Sequence, residues 1–322
     1  MNQISHRTIQ VNGIRMHIAE DGQGEGRPVV LLLHGFPELW YSWRHQIVAL
    51  SALGFHAVAP DLRGYGDSDS PPSVSSYTYH HLVGDLVALI NLLKVDQILL
   101  VAHDWGAMIG WQLCLFRPDK VKAFVCLSIP FRPRDPSHKP IETYRRAFGE
   151  NYYICRFQAP GAMEAEIELI GAARFLTKTL TSRSPRPPIL PQANSSNLSE
   201  EMKPVDLPSW LTEDDIAYYV SKFNEKGFTG ALSYYRAMDL NWELTGAWDG
   251  AKVKVPVKFV VGDLDIIYSM PGMKEYINGP LFKEMVPLLD DIVVLEGVAH
   301  FINQEKPQEI SSLIHDYFMK FV

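Results

Sequence analysis

The sequence predicts an α/β protein: a mostly parallel β-sheet with helices on both faces, carrying an inserted helical segment. Two observations predict it. Eight short β-branched or apolar runs recur along the chain, and several are separated by stretches with helical periodicity. Between about residues 132 and 255 the strand signal stops, and the chain reads as helices around a Pro-rich linker.

The runs TIQV and RMHIAE open the chain as an antiparallel meander, with DGQGEGRP as the turn that follows. GQGEG precedes a strand and not a helix, so a plain hairpin turn fits it better than a nucleotide loop. PVVLLLH is continuously apolar, as a strand covered on both faces should be. A helical pattern over 40–52 leads to FHAVAPD and the Gly-containing turn DLRGYGDSDSPP, which reads as structural. Helix 78–93, strand QILLVAH, helix 105–117 and strand KAFVCLS continue the alternation, which implies parallel strands. After the insertion come VPVKFVVGD, DIVVLEG and a closing helix over 305–320. The insertion offers AMEAEIELIGAARFLTKTL and TEDDIAYYVSKFNEKG as helices on either side of SRSPRPPILPQANSSNL. The expected division is a core over 1–131, a helical cap over 132–249 and the rest of the core over 250–322. The cap would lie on the carboxyl edge of the sheet, where open α/β sheets keep their ligand sites.

Composition narrows the class of partner. The chain of 322 residues, 47% hydrophobic and 21% charged, can bury a large core and reads as folded. A net charge of −7 without a Lys/Arg stripe argues against nucleic acid or an anionic membrane as partner. A small neutral molecule fits better, handled by a monomer or homodimer. The runs VVLLL and LVALINLL fall well short of the roughly 18 residues that span a bilayer, and Asp85 sits beside the second. MNQISHRTIQ lacks the pattern of a secretory signal, which makes the cytoplasm the expected location. Cys114, Cys126 and Cys155 form no zinc or disulfide pattern and are expected as packing residues in a reducing compartment. Asn194 and Asn197 match the glycosylation pattern only by accident if the chain is not exported.

The stretch VAHDWGAMIG, residues 101–110, ends a buried strand at small residues and presents an acid where a helix begins. A strand-to-helix turn holds a nucleophile only if its neighbours are small, and Ala102, Gly106 and Ala107 satisfy this. Asp104 then stands where a nucleophilic serine would. An Asp at a helix start is more often an N-cap, so the reading depends on partners in the order nucleophile, acid, histidine. They are present: Asp265, with Asp263 as its neighbour, follows VKFVVG, and His300 follows the last strand. LLLHGFP supplies a Gly-containing turn whose Phe36 N–H, with that of Trp105, would form an oxyanion hole. Phe36–Pro37 is a candidate cis bond.

An aspartate is already anionic at neutral pH and attacks without a base. Its targets are carbons bearing a leaving group, epoxides or alkyl halides, and the resulting ester needs water activated by His300 with Asp265. The aromatic stretches NYYICRFQAPG and GALSYYRAMDLNW could each hang a phenol over the nucleophile.

HGFPELWYSWRHQ, DLRGYGDS, HDWGA, YICRFQAPG, YYRAMDLNW, GDLD and the final AHF together resemble the soluble epoxide hydrolases of the α/β-hydrolase fold, most closely the plant type. The similarity runs through core and cap. It implies hydrolysis of an epoxide to a vicinal diol, a detoxification chemistry with no metal or organic cofactor, and the abundant aromatic and aliphatic residues suggest an apolar tunnel suited to fatty-acid or aryl epoxides. It also places the ring-opening tyrosines at Tyr153 and Tyr235, with Tyr152 and Tyr234 as packing neighbours, and makes Phe36, Trp105, Tyr153, Tyr235 and Phe301 substrate contacts. The phosphatase-like N-terminal domain of some animal relatives is not expected, since the first strand pattern starts almost at residue 1. A haloalkane dehalogenase is the runner-up; that family has a polar residue where this chain has Phe36, and lacks the tyrosine pair. An ester hydrolase would need Ser or Cys at the elbow, and a noncatalytic small-molecule receptor would not need the intact Asp104, Asp265 and His300 set.

Overall fold

A computed structural model describes residues 4–184 and 206–322. Most of the Pro-rich linker, with Asn194 and Asn197, lies outside the described residues. All eight expected strands form: β1 (Ser5–Val11), β2 (Ile14–Asp21), β3 (Val29–Leu33), β4 (His56–Pro60), β5 (Ile98–His103), β6 (Val121–Leu127), β7 (Val257–Gly262) and β8 (Leu289–Leu295). They make one sheet in the order β1-β2-β4-β3-β5-β6-β7-β8. β1–β2 and β2–β4 pair antiparallel and every other pair is parallel.

The meander reading needs one correction. β2 pairs with β4 and not with β3, so DGQGEGRP is no hairpin turn but a connection that steps over the start of β4. The reason is burial: every residue of β3 is buried, so it belongs in the middle of the sheet, with β4 returned to its side through a crossover helix.

Helices α1 (Arg44–Ala52), α2 (Tyr79–Leu92) and α3 (Trp105–Phe116) fill the early crossovers. The pattern expected as one helix over 40–52 begins as a 3-10 turn at Trp40–Trp43, all four residues buried. Between β6 and β7 the described chain is helical: α4 (Pro140–Phe148), α5 (Tyr153–Arg156), α6 (Ala162–Ile170), α7 (Ala172–Leu180), α8 (Glu213–Lys226), α9 (Thr229–Arg236) and α10 (Met238–Leu244). The stretch expected as one helix over 162–180 splits at Gly171, whose φ of +87° breaks the helical path. α8 starts at a capping box between Thr212 and Asp215. After β7 come α11 (Met273–Asn278) and α12 (Pro280–Met285), and after β8 come α13 (Ile302–Glu305) and α14 (Pro307–Phe318). The closing helix expected over 305–320 is α14, opened by Pro307, which has no N–H to continue the short α13 and suits the first turn of α14.

The helical insertion is fastened to the core by buried polar contacts. Tyr41 Oη donates to Asp215 Oδ1 at 2.9 Å, Arg44 pairs with the same carboxylate at 3.1 Å, and Trp40 Nε1 donates to Tyr218 Oη at 2.7 Å. The three cysteines are buried and unpaired, as expected. Among the described residues no helix is long and apolar enough to cross a membrane.

Candidate active site

β5 ends at His103 and α3 begins at Trp105, so Asp104 alone makes the turn, at φ 51° and ψ −122°. Its side chain makes no capping bond to α3, which removes the helix-cap explanation for an acid here. Instead Phe36 N–H donates to Asp104 Oδ1 at 2.8 Å. The turn after β3 comes this close because two positions lack a side chain: a Cβ on Gly35 would collide with the Asp104 carboxylate, and one on Gly106 with the Leu33 carbonyl. Phe36–Pro37 is cis. Trp105 opens α3, so its N–H is one of those left without an intrahelical acceptor.

The other carboxylate oxygen of Asp104 faces the loop after β8. His300 Nε2 stands 3.4 Å from Asp104 Oδ2, and His300 Nδ1 stands 3.0 Å from Asp265 Oδ2. Asp265 is fully buried and also accepts from Ser128 Oγ at 2.7 Å and from Ile267 N–H at 2.7 Å. Asp263 does not compete for this place: it accepts Gly297 N–H at 2.7 Å and ties the two loops together.

The electrostatics follow from this packing. Burial would raise the Asp104 carboxyl, but the hydrogen bond and charge of His300, then His103 and Phe36 N–H, bring it below the usual range. Asp265 is lowered in the same way, burial acting against His300, Ser128 and Ile267. Burial would lower His300, but the two carboxylates flanking it, Asp265 foremost, raise it well above the ordinary histidine value.

Two phenols reach this site from different helices of the insertion. Tyr153 opens α5 and Tyr235 lies in α9, with ring centroids 5.9 Å apart. Tyr235 packs on Trp105 at 5.0 Å, Phe157 at 5.0 Å and Phe36 at 5.4 Å. Burial first, with the Asp104 charge among the further causes, holds both phenols well above the usual tyrosine value; for Tyr235 the Trp105 indole pulls the other way. Their sequence neighbours are engaged elsewhere. Tyr234 Oη donates to the Arg63 carbonyl at 2.7 Å, and Tyr152 packs on Phe148 at 4.6 Å. Phe301 packs edge-on against the His300 imidazole at 5.1 Å.

The match to known proteins agrees with this geometry. The family model described as the alpha/beta hydrolase fold matches residues 28–153. Epoxide hydrolase 1 of Siraitia grosvenorii is 56% identical over 321 residues, spanning the whole of both chains. The crystal structure of an epoxide hydrolase from Vigna radiata has 58% identity and a TM-score of 0.93, covering 100% of this chain and 99% of that one. The chain belongs to the plant-type epoxide hydrolases. More distantly, epoxide hydrolase A of Mycobacterium tuberculosis is 36% identical over 98% of each chain.

In this epoxide hydrolase chain, three buried polar residues absent from the sequence reading support the site. Glu38 Oε2 accepts Gly35 N–H at 3.1 Å and stands 2.8 Å from His103 Nδ1, while Glu38 Oε1 accepts from Gln304 Nε2 at 3.0 Å. His103 Nε2 lies 2.7 Å from the His300 carbonyl oxygen, which can only accept, so Nε2 carries a proton and a further proton must lie between Nδ1 and Glu38. One ion-pair-like unit thus joins the Phe36 turn, the nucleophile strand and the histidine loop. The signal was present: Glu38 interrupts an aromatic run and His103 ends an apolar one.

Burial would raise the Glu38 carboxyl, but His103 and Gly35 N–H lower it, so the pair stabilises the fold above about pH 4. That contribution is lost as the pH falls through the lowered Glu38 value. Glu38→Gln should therefore cost about 3 kcal/mol in urea unfolding at pH 7, since it leaves His103 buried without its partner. The difference from the parent should narrow towards pH 3.

Among the described residues, one cluster outside the site has metal-ligand donors. His17, Asp61 and Asp67 bring ligand atoms within 4.8 Å of one another. Those donors are already used: His17 Nδ1 meets Asp61 Oδ2 at 2.8 Å, Trp40 N–H and Asp67 N–H donate to Asp61, and Lys222 Nζ pairs with Asp67. The cluster reads as a core-to-cap fastening.

Proposed function

We propose that the protein converts an apolar epoxide to a vicinal diol through an ester on Asp104. The observation that carries this reading is the division of the Asp104 carboxylate: Oδ1 is held by Phe36 N–H, while Oδ2 faces His300. Oδ2 attacks a ring carbon, the C–O bond of the epoxide breaks, and Tyr153 and Tyr235 hold the departing oxygen and supply its proton. Their raised pKa values keep both phenols protonated and able to donate.

Alkylation cancels the Asp104 charge and with it one of the causes that raise His300. The imidazole therefore holds its proton less tightly, and serves better as a base, once the ester exists. It takes a proton from water, whose oxygen adds to the Asp104 carboxyl carbon, and the negative charge falls on Oδ1, where Phe36 N–H and Trp105 N–H stabilise it. Collapse breaks the bond from the carboxyl carbon to the alkyl oxygen, and His300 returns its proton to the leaving alkoxide. The carboxylic proton left on Asp104 restores the phenol. No metal or organic cofactor enters these steps.

Phe36, Trp105 and Phe301 would complete the apolar wall around the substrate with the two tyrosines. Residues 132–249 act as the cap on a core formed by 1–131 and 250–322, and the enzyme works in the cytoplasm as a monomer or homodimer, on fatty-acid or aryl epoxides. One turnover with enzyme in excess in heavy-oxygen water tests the ester. The first diol should be free of label, and the label should appear in the peptide containing Asp104; label in that diol would overturn the reading.

A further inference from the structure

Ser128 directly follows β6, shortly before the chain leaves the core for the helical insertion, and it is held there in a conformation that serine rarely adopts. Its φ is +76°, in the left-handed region. Its N–H is bound to the Val260 carbonyl at 2.9 Å, and it is fully buried. This backbone turns the hydroxyl onto the acid–histidine pair: Oγ donates to Asp265 Oδ2 at 2.7 Å and lies 3.1 Å from His300 Nδ1. Asp265 Oδ2 thus receives the serine hydroxyl and the imidazole on the same oxygen, while Ile267 N–H occupies Oδ1.

We propose that Ser128 is a positioning residue of the hydrolytic half-reaction, its hydroxyl fixing Asp265 and moderating that carboxylate's hold on the His300 proton. The proposal rests on the ester mechanism above. A carboxylate that loses one of its donors becomes more basic and binds the adjacent imidazolium more tightly. Without Oγ, more of His300 would stay protonated in the ester, where it is needed as a base.

The charged and titratable groups around His300 are few, which makes the effect separable. Asp104 faces Nε2 from the elbow and Asp265 faces Nδ1 from the loop after β7. His103, with its ring centroid 4.7 Å away, approaches from the end of β5 with Glu38 beyond it. The Ser128 hydroxyl touches Asp265 and the Nδ1 side of His300, and leaves the attacking carboxylate on the Nε2 side untouched.

The test separates the two half-reactions by rapid quench and mass spectrometry across pH 5–9, in the parent, Ser128→Ala and Ser128→Gly. Both variants lack the hydroxyl, but glycine accepts a positive φ without strain. The acid limb of ester hydrolysis should move up by about half a pH unit or more in both variants, since one pKa unit corresponds to about 1.4 kcal/mol of differential interaction and a charged hydrogen bond exceeds that. The rate of ester formation should stay within about twofold of the parent, on the scale where 1.4 kcal/mol is tenfold. Ser128→Cys, a weaker donor, should lie between. An unmoved limb with both half-reactions slowed alike, or a shift in Ser128→Ala that Ser128→Gly abolishes, would overturn the proposal and leave a packing or backbone role. Absence of an Asp104 adduct in the parent would instead refute the mechanism beneath it.

Discussion

His300→Gln accumulates the covalent intermediate. On the proposed mechanism ring opening uses the Asp104 carboxylate and the two phenols, all of which this variant keeps, so one equivalent of epoxide should add to Asp104. The next step then lacks its base. Proton transfer by a positioned side chain is worth about 10² to 10⁴ in rate, so ester hydrolysis should fall by about that factor. Intact-mass measurement after mixing with epoxide should show near-stoichiometric adduct, and peptide mapping should place it on Asp104. Retained turnover without adduct would mean that His300, despite standing 3.4 Å from Asp104 Oδ2, is not the base.

Tyr153→Phe combined with Tyr235→Phe should have the opposite signature. The two rings keep their packing, but the departing oxygen loses both proton donors, and ester formation should slow by about 10³ or more. Either single variant should lose less, because the remaining phenol still donates. Binding should weaken by about thirtyfold at most, the worth of two neutral hydrogen bonds of roughly 0.5 to 1 kcal/mol each. Stopped-flow fluorescence with Trp105 close to the site, combined with the quench experiment, distinguishes slow alkylation with no adduct from the stalled ester of His300→Gln. Equal losses in both half-reactions would argue that the tyrosines act by shaping the site.

Much of this arrangement was legible in the sequence because chain order and strand ends carry it. Asp104, Asp265 and His300 each follow an apolar run that a strand needs for burial, so the motif spacing located them without coordinates. The small residues at Gly35 and Gly106 mark a close approach whose partners only the fold reveals. What sequence could not show was the direction of polar side chains at those same strand ends. Ser128 follows an apolar run and looks like ordinary turn chemistry until its positive φ aims Oγ at Asp265. Glu38 and Gln304 are distant in sequence and meet only because α13 packs beside the Phe36 turn. The place of β4 between β2 and β3 was likewise invisible, since neighbours in a sheet depend on which strand must be covered on both faces.

Every charged member of the triad comes from the turn or loop that follows a core strand, whereas the two phenols belong to α5 and α9 of the insertion. On the proposed mechanism, bond opening draws on groups from both layers of the molecule, and ester cleavage on groups from only one. A bulky epoxide that wedges the layers apart forfeits the first event and spares the second. For such molecules the enzyme would idle empty instead of becoming clogged.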